Sequence, residues 1–487
     1  MAHYSSLDRA LEHAEETDSL SLDDPAALKR LCKDPALLPR LERLDLDVKK
    51  LPREIAALTQ LRSLDISAAI PFPVEVFGLR NLEILRFYEG RKLKELPSQI
   101  GTLSRLKELT VRNAPLIDLP DEIASLHALE DLEIPTDKIA DPEALGVKLA
   151  KLPSLKVLEL NARGKRGFSA IPTSFFQLRQ LEKLNLSGNS IKAIPDEIAS
   201  LSKLRVLELQ LNAIKKLSPA LGDLVELEEL NLANNGLKAL PETLGALVKL
   251  VKLDLLGNQL TSLPESLAAL RALTTLRLSS NQLKTLPATF GQLAALEQLD
   301  LKDNPLARIP AEIGNLVRLA ELRLGGNDLE ELPAHLARMV SLRKLSLDRS
   351  GLGALPEWLG ELTNLEEIHL YENARLTTLP SSLGRLSKLT TLEIIRSPLS
   401  AFPSEICDLT ALSKLTLCGT HLGAVPEALG QLATLKDLDL RFNDLTKLPK
   451  DISTWTSLGP WSVYLFDGNE LPDEEQARVN AALPQSQ

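Results

Sequence analysis

Residues 250–272 read LVKLDLLGNQLTSLPESLAALRA, and residues 273–295 read LTTLRLSSNQLKTLPATFGQLAA. Leu250, Leu253, Leu255, Asn258, Leu260, Leu263, Pro264, Leu267 and Leu270 return 23 residues later as Leu273, Leu276, Leu278, Asn281, Leu283, Leu286, Pro287, Phe290 and Leu293. A unit this short cannot bury its own apolar side, so it must stack on copies of itself. The LxxLxL half alternates apolar and polar residues, which predicts a short strand with its Leu side chains on one face. The LPxxLxxL half carries a Pro that fixes φ and offers no N–H, which predicts an extended or 3₁₀ return rather than a full helix. Successive strands then pair in parallel about 4.8 Å apart. The returns are bulkier than the strands, so the stack is expected to curve into a horseshoe with the sheet on its concave side.

The same beat extends in both directions. Full units begin at Leu41, Leu61, Leu82, Leu106, Leu129, Leu155, Leu181, Leu204, Leu227, Leu250, Leu273, Leu296, Leu319, Leu342, Leu365, Leu389, Leu412 and Leu435, with a partial unit from Leu458. These 18 repeats over residues 41–457 exclude the three globular domains that 487 residues would otherwise suggest. Asn189, Asn212, Asn235, Asn258, Asn281, Asn304, Asn327 and Asn443 hold the ninth place of their units. There the chain leaves the strand and turns inward, and an amide that both donates and accepts can satisfy backbone groups of two coils. Ser350, Ser397 and Thr420 stand in with hydroxyls. The units at Leu129 and Leu155 lengthen to 26 residues. The first contains Asp141-Pro142, a helix start. The second contains Arg163-Gly164-Lys165-Arg166-Gly167, a basic surface insertion without the GxxxxGK[ST] spacing of a phosphate loop.

A solenoid needs its ends covered. Residues 1–40 read as an N-terminal helical cap with a degenerate first repeat, residues 41–458 as the repeats, and residues 459–487 as a C-terminal cap. Within the first cap, SLDRALEHAE (6–15) suggests a short helix and Leu20 with Leu22 a first strand; Asp24-Pro25 should open a second helix. At the far end Trp461, Val463 and Leu465 suggest a last strand, and Asp473 with Gln476 a capping box.

Composition removes several function classes. The net charge of −10 argues against a general nucleic-acid or anionic-membrane binder. Three Cys cannot form a disulfide framework, and no apolar run is long enough for a membrane span. The N-terminal segment lacks an apolar signal region. Six scattered His include no pair at metal-ligand spacing, so no cofactor or metal is expected.

The tails LPSQIGTL (96–103), IPAEIGNL (309–316) and VPEALGQL (425–432) resemble the LPxxIGxL class of leucine-rich repeats. That class occurs in plant intracellular repeat proteins, in Ras-pathway scaffolds and in PopC-like effectors of plant-pathogenic bacteria. The resemblance implies an α/β leucine-rich-repeat solenoid and a non-enzymatic scaffold for a protein partner, of the kind found in virulence effectors that act on host proteins. Two alternatives stay open: an E3 ubiquitin-ligase effector, and a regulatory subunit for a GTPase or phosphatase. About 30 residues follow the last repeat, too few for an appended ligase domain, and Cys407-Asp408 lacks the intervening residue of the Cys-x-Asp ligase motif. A monomer is expected, in the cytoplasm or delivered into a host cell without a general signal peptide.

The nominal catalytic set is Cys418, His421 and Asp439, on an open face expected to give them no pocket. A binding role instead points to side chains that project from the strands. The fifth places are mostly acidic or neutral up to Asp254, and their signs mix from Arg277. Toward the C-terminus the seventh and eighth places add large residues, including an exposed Tyr371. Arg and Tyr dominate interface energies. The expected partner-binding patch is therefore Arg323, Arg349, His369, Tyr371, Ile395, Arg396, Arg441 and Phe442.

Overall fold

In a computed structural model the described residues are 2–162, 167–452, 455, 458 and 463–482. Arg163 to Arg166, Trp461 and the side chains of Val463 and Gln476 lie outside them, so the basic insertion, the last strand's Trp and the capping box have no structural description. The chain forms two compact units, Met1–Gly236 and Leu237–Gln487.

Each unit is a stack of coils on one parallel sheet. The first holds strands from Ala2–Tyr4 to Glu229–Asn231, the second from Lys252–Asp254 to Val463–Tyr464, and within each unit every strand pairs with the next in sequence. Register follows the repeat: Leu253 lies opposite Leu276, Leu276 opposite Leu299, and Leu299 opposite Leu322. The opposite wall is built mostly from five-residue 3₁₀ turns that follow the Pro of the tail, as in Glu265–Ala269 and Ala311–Asn315, with Ser218 in place of that Pro before Pro219–Asp223. Between the walls lies a core of Leu: Leu250, Leu253, Leu255, Leu260, Leu267 and Leu270 are all buried to within 1%. Each such side chain contributes about 1.5–3 kcal/mol of burial.

The expected helices occur at Leu7–Glu12, Pro25–Lys33, Pro142–Leu149 and Asp473–Ala482. Asp24 caps the second by accepting from the N–H groups of Ala26 and Ala27, and Asp141 caps the third by accepting from Ala144. Leu20 and Leu22 sit on a strand, Thr17–Leu22, opposite Leu44 and Leu46. A strand that the repeat pattern does not reveal, Ala2–Tyr4, pairs outside it.

The Asn residues form a ladder. Asn304 Nδ2 donates to the carbonyls of Leu301 in its own coil and Leu278 in the preceding one, each at 3.0 Å. Its Oδ1 accepts from Leu283 N–H at 3.0 Å. Asn281 and Asn327 repeat the arrangement. The ladder also includes Asn373, whose Oδ1 accepts from both Ser350 N–H and Ser350 Oγ, and Asn469, whose Nδ2 donates to Leu440 and Leu465.

Strand length varies along the sheet. Asp254, Asp300 and Asp439 hold the fifth place, and each accepts from the N–H two residues on at 3.0 Å, an Asx turn at the end of a three-residue strand. Thr275–Arg277, Glu321–Arg323 and Lys344–Ser346 are equally short with Arg or Ser at that place. Glu367–Tyr371, Thr391–Ile395 and Lys414–Cys418 carry His369, Glu393 and Thr416 there instead and continue for five.

Candidate functional site

The longer strands matter because side chains alternate across the sheet. In Glu367–Tyr371, Ile368 and Leu370 enter the core, while Glu367, His369 and Tyr371 remain half-buried on the other face. Beside them, within the Leu237–Gln487 unit, lies a cavity of about 540 Å³. Its walls are made wholly of seventh and eighth repeat places: Lys302, Asp348, Tyr371, Ile395 and Cys418 at the seventh, and Arg349, Glu372, Arg396, Gly419 and Phe442 at the eighth. A second depression of about 260 Å³ shares Lys302, Asp348 and Tyr371 with it and is bordered by Arg323 and His369. Cys418 lines this cavity, but His421 and Asp439, its nominal catalytic partners, do not.

The eight candidate residues separate into three places. Arg349, Tyr371, Ile395, Arg396 and Phe442 meet in the larger cavity. Arg323 and His369 border the smaller. Arg441 lines neither; its guanidinium is held by Asp439 at 2.7 Å and lies 4.9 Å over the Tyr464 ring. Lys302, Asp348, Glu372, Cys418 and Gly419 were not in the expected patch, although each holds a seventh or eighth place.

Under Tyr371 sits a buried charge network. Glu393, whose side chain is only 8% exposed, accepts from His369 Nδ1 at 2.7 Å, from Lys414 Nζ at 2.5 Å and from the Tyr371 hydroxyl. Tyr371 is therefore half-buried and hydrogen-bonded rather than free in solvent. The bond from His369, with those from Lys414 and Tyr371, holds the Glu393 carboxyl down at about 2. The bond to Glu393 raises His369 above its ordinary 6.5.

Two ion pairs reach across one coil. Lys302 Nζ reaches Asp348 at 3.3 Å and Arg349 reaches Asp303 at 2.9 Å, each spanning 46 residues. The coil between them presents Gly325 and Gly326 at these places. Gly326 has φ +69°, and a Cβ there would meet Asp303 Oδ1 at 2.1 Å. Gly326→Ala is expected to lower stability by about 1–2 kcal/mol, from left-handed strain and the contact with Asp303, and urea unfolding would register it. An unchanged midpoint would remove the glycine from this role.

Two members of the nominal catalytic set are engaged elsewhere. His421 turns to Asp444 at 3.4 Å, and Asp439 is taken by Arg441. Burial raises the Cys418 thiol above its ordinary 9.0, with Asp439 adding to the effect. Burial also lifts Cys407 to about 11 and Cys32 to about 12. Among the described residues, no group of three His, Cys, Asp or Glu side chains is placed to hold a metal, and no helix is long and apolar enough to cross a membrane.

The sheet face of the Met1–Gly236 unit differs. Arg86 bonds Glu108 at 2.5 Å and Asp65 at 3.2 Å, and Arg112 bonds Glu133 at 2.6 Å while lying 5.5 Å over the Tyr88 ring. Tyr88-Glu89 and Tyr371-Glu372 hold matching places but different partners. Burial, then Glu108 and Glu159, push Asp131 up to about 6.

The leucine-rich-repeat-region family matches residues 40–169, 204–305 and 298–398, and a second leucine-rich-repeat family matches residues 153–214. A volume-regulated anion channel subunit, LRRC8B of Mus musculus, is 31% identical over 190 residues, which are 32% of this chain and 23% of that protein. Among solved structures, an LRR protein of Leptospira interrogans is 26% identical with a TM-score of 0.64, covering 100% of this chain and 99% of the other. The LRR ectodomain of the receptor kinase GASSHO1/SCHENGEN3 from Arabidopsis thaliana, in complex with CASPARIAN STRIP INTEGRITY FACTOR 2, is 25% identical with a TM-score of 0.50, covering 93% of this chain and 58% of the other.

Proposed function

Since the chain belongs to the leucine-rich-repeat proteins, we propose that it is a non-enzymatic scaffold that binds a protein partner on the sheet face of its Leu237–Gln487 unit. One observation carries this reading: the cavity of about 540 Å³ is walled by Arg, Tyr, Ile and Phe side chains at places the solenoid does not need for its core. Residues of these types supply most of the energy in protein interfaces. Phe442 is 58% exposed in a chain with only 3% aromatic residues. The Arabidopsis ectodomain, solved in complex with CASPARIAN STRIP INTEGRITY FACTOR 2, supports a binding role for such arrays. In the same reading residues 1–40 and 459–487 act as end covers for the stack.

Tyr371→Ala combined with Arg396→Ala should weaken partner capture by more than tenfold. The unfolding midpoint should fall only modestly, since Glu393 keeps His369 and Lys414. Pull-down with the purified double variant beside the parent chain tests this, and equal recovery of the same partners would refute the assignment of the face.

A further inference from the structure

Through the coils of the Leu237–Gln487 unit, the eighth place has a left-handed backbone. It is occupied by Gly257, Ser280, Asp303 and Gly326, at φ between +53° and +69°, and then by Arg349 at +49°, Glu372 at +53°, Arg396 at +50°, Gly419 at +65° and Phe442 at +55°. Gly adopts this conformation without cost, and Asp and Asn tolerate it through local hydrogen bonds; long and aromatic side chains do so at a cost. Arg349, Glu372, Arg396 and Phe442 all line the cavity, with Gly419 among them, and the four residues before them do not. Strain persists where a side chain serves something other than the fold.

The chemistry of these side chains indicates what they hold. The chain carries −10 overall, yet the cavity sets Lys302, Arg349 and Arg396 against two carboxylates, Asp348 and Glu372. Asp348 is already engaged by Lys302, Ser346 Oγ and the Tyr371 N–H. Arg349 and Arg396 each meet one partly exposed carboxylate, Asp303 and Glu372, and their side chains are 53% and 73% exposed. A guanidinium has five donors, so both retain N–H groups for a ligand carboxylate. Gly419 leaves open space between Arg396 and Phe442, with Ile395 beside it. Arg349 and Arg396 are two coils apart, as are Arg396 and Phe442, a step of about 10 Å, which is one three-residue turn of polyproline II chain, whose side chains three residues apart share a face.

We propose that the cavity seats an acidic peptide segment in polyproline II conformation, whose carboxylates bond Arg349 and Arg396 and whose apolar side chain, three residues on, packs against Ile395 and Phe442 beside Gly419. This rests on the reading that the sheet face of this unit is the binding side. A displayed library of random dodecapeptides, selected on the immobilised full chain, tests it. Selected peptides should be enriched in Asp or Glu with Ile, Leu or Phe three residues away. A synthetic representative should lose at least tenfold in affinity to Arg349→Asn, Arg396→Asn or Phe442→Asn, while the unfolding midpoint of each variant holds or rises, because Asn tolerates the left-handed backbone. Peptides that are basic, yet compete at Phe442, would overturn the acidic assignment and leave the binding face standing. Peptides indifferent to Tyr371→Ala with Arg396→Ala, or no selected peptide at all, would overturn both. A lowered midpoint in the Asn variants would show that these side chains serve the fold.

Discussion

Asn304→Ala is expected to lower the free energy of unfolding by about 1–3 kcal/mol, the cost of a buried backbone group left without a partner. Leu283 N–H has Asn304 Oδ1 as its acceptor and lies in a part of the coil closed to water. The Leu278 and Leu301 carbonyls also lose a donor, but each keeps one from Asn281 or Asn327. The loss is therefore concentrated in one N–H. Asn304→Asp makes the argument sharper. The carboxylate still accepts from Leu283, but it faces two carbonyl oxygens that had been receiving N–H groups. Its folded pKa must rise above the ordinary carboxyl value, so the variant should regain stability as pH falls through that raised value. Urea titrations of both variants at neutral and mildly acidic pH would establish this; an aspartate variant equally stable at both would contradict the ladder's donor–acceptor roles.

The second large effect is expected for Glu393→Gln. A carboxyl held at about 2 rather than its ordinary 4.5 corresponds to about 3 kcal/mol of stabilisation of the charged form. Removing the charge leaves His369 and Lys414 without their central acceptor and turns an amide N–H₂ toward donors, so a loss of about 2–4 kcal/mol follows. The pH dependence has a definite sign. Glu393 is depressed in the folded state, so its contribution is complete above 4.5 and is lost as pH falls toward 2. His369 is raised, so its contribution is complete below 6.5 and is lost as pH rises through its raised folded value. The gap in melting temperature between parent and variant should be widest between pH 4.5 and 6.5 and should narrow on either side, with Lys414 sustaining part of it at high pH. A gap that stayed constant from pH 3 to 9 would show that the network does not titrate as described.

The candidate site was half legible in the sequence. Reading the seventh and eighth places picked out Arg349, Tyr371, Ile395, Arg396 and Phe442, because large residues there serve no core position. It passed over Lys302 and Asp348, whose ion pair joins coils on either side of Gly325 and Gly326, a contact that no single unit displays. It also grouped Arg441 with the rest, since nothing in the string LDLRFN shows that Asp439 and Tyr464 will hold that guanidinium. Glu393 looked like one more polar strand residue; its burial depends on Tyr371 and His369 from the adjacent strand closing over it.

Sequence alone determined the coil. The spacing of Leu, the Pro of the return and the Asn of the turn each act within one unit or between a unit and its neighbour, so 23 residues contain nearly all the instructions. Only the tertiary structure decided where the cavity lies and which charges are spoken for. Those properties arise from side chains 23 to 46 residues apart that stacking brings within 3 Å or so of one another, and the choice among several possible partners is made by geometry that repetition by itself leaves open.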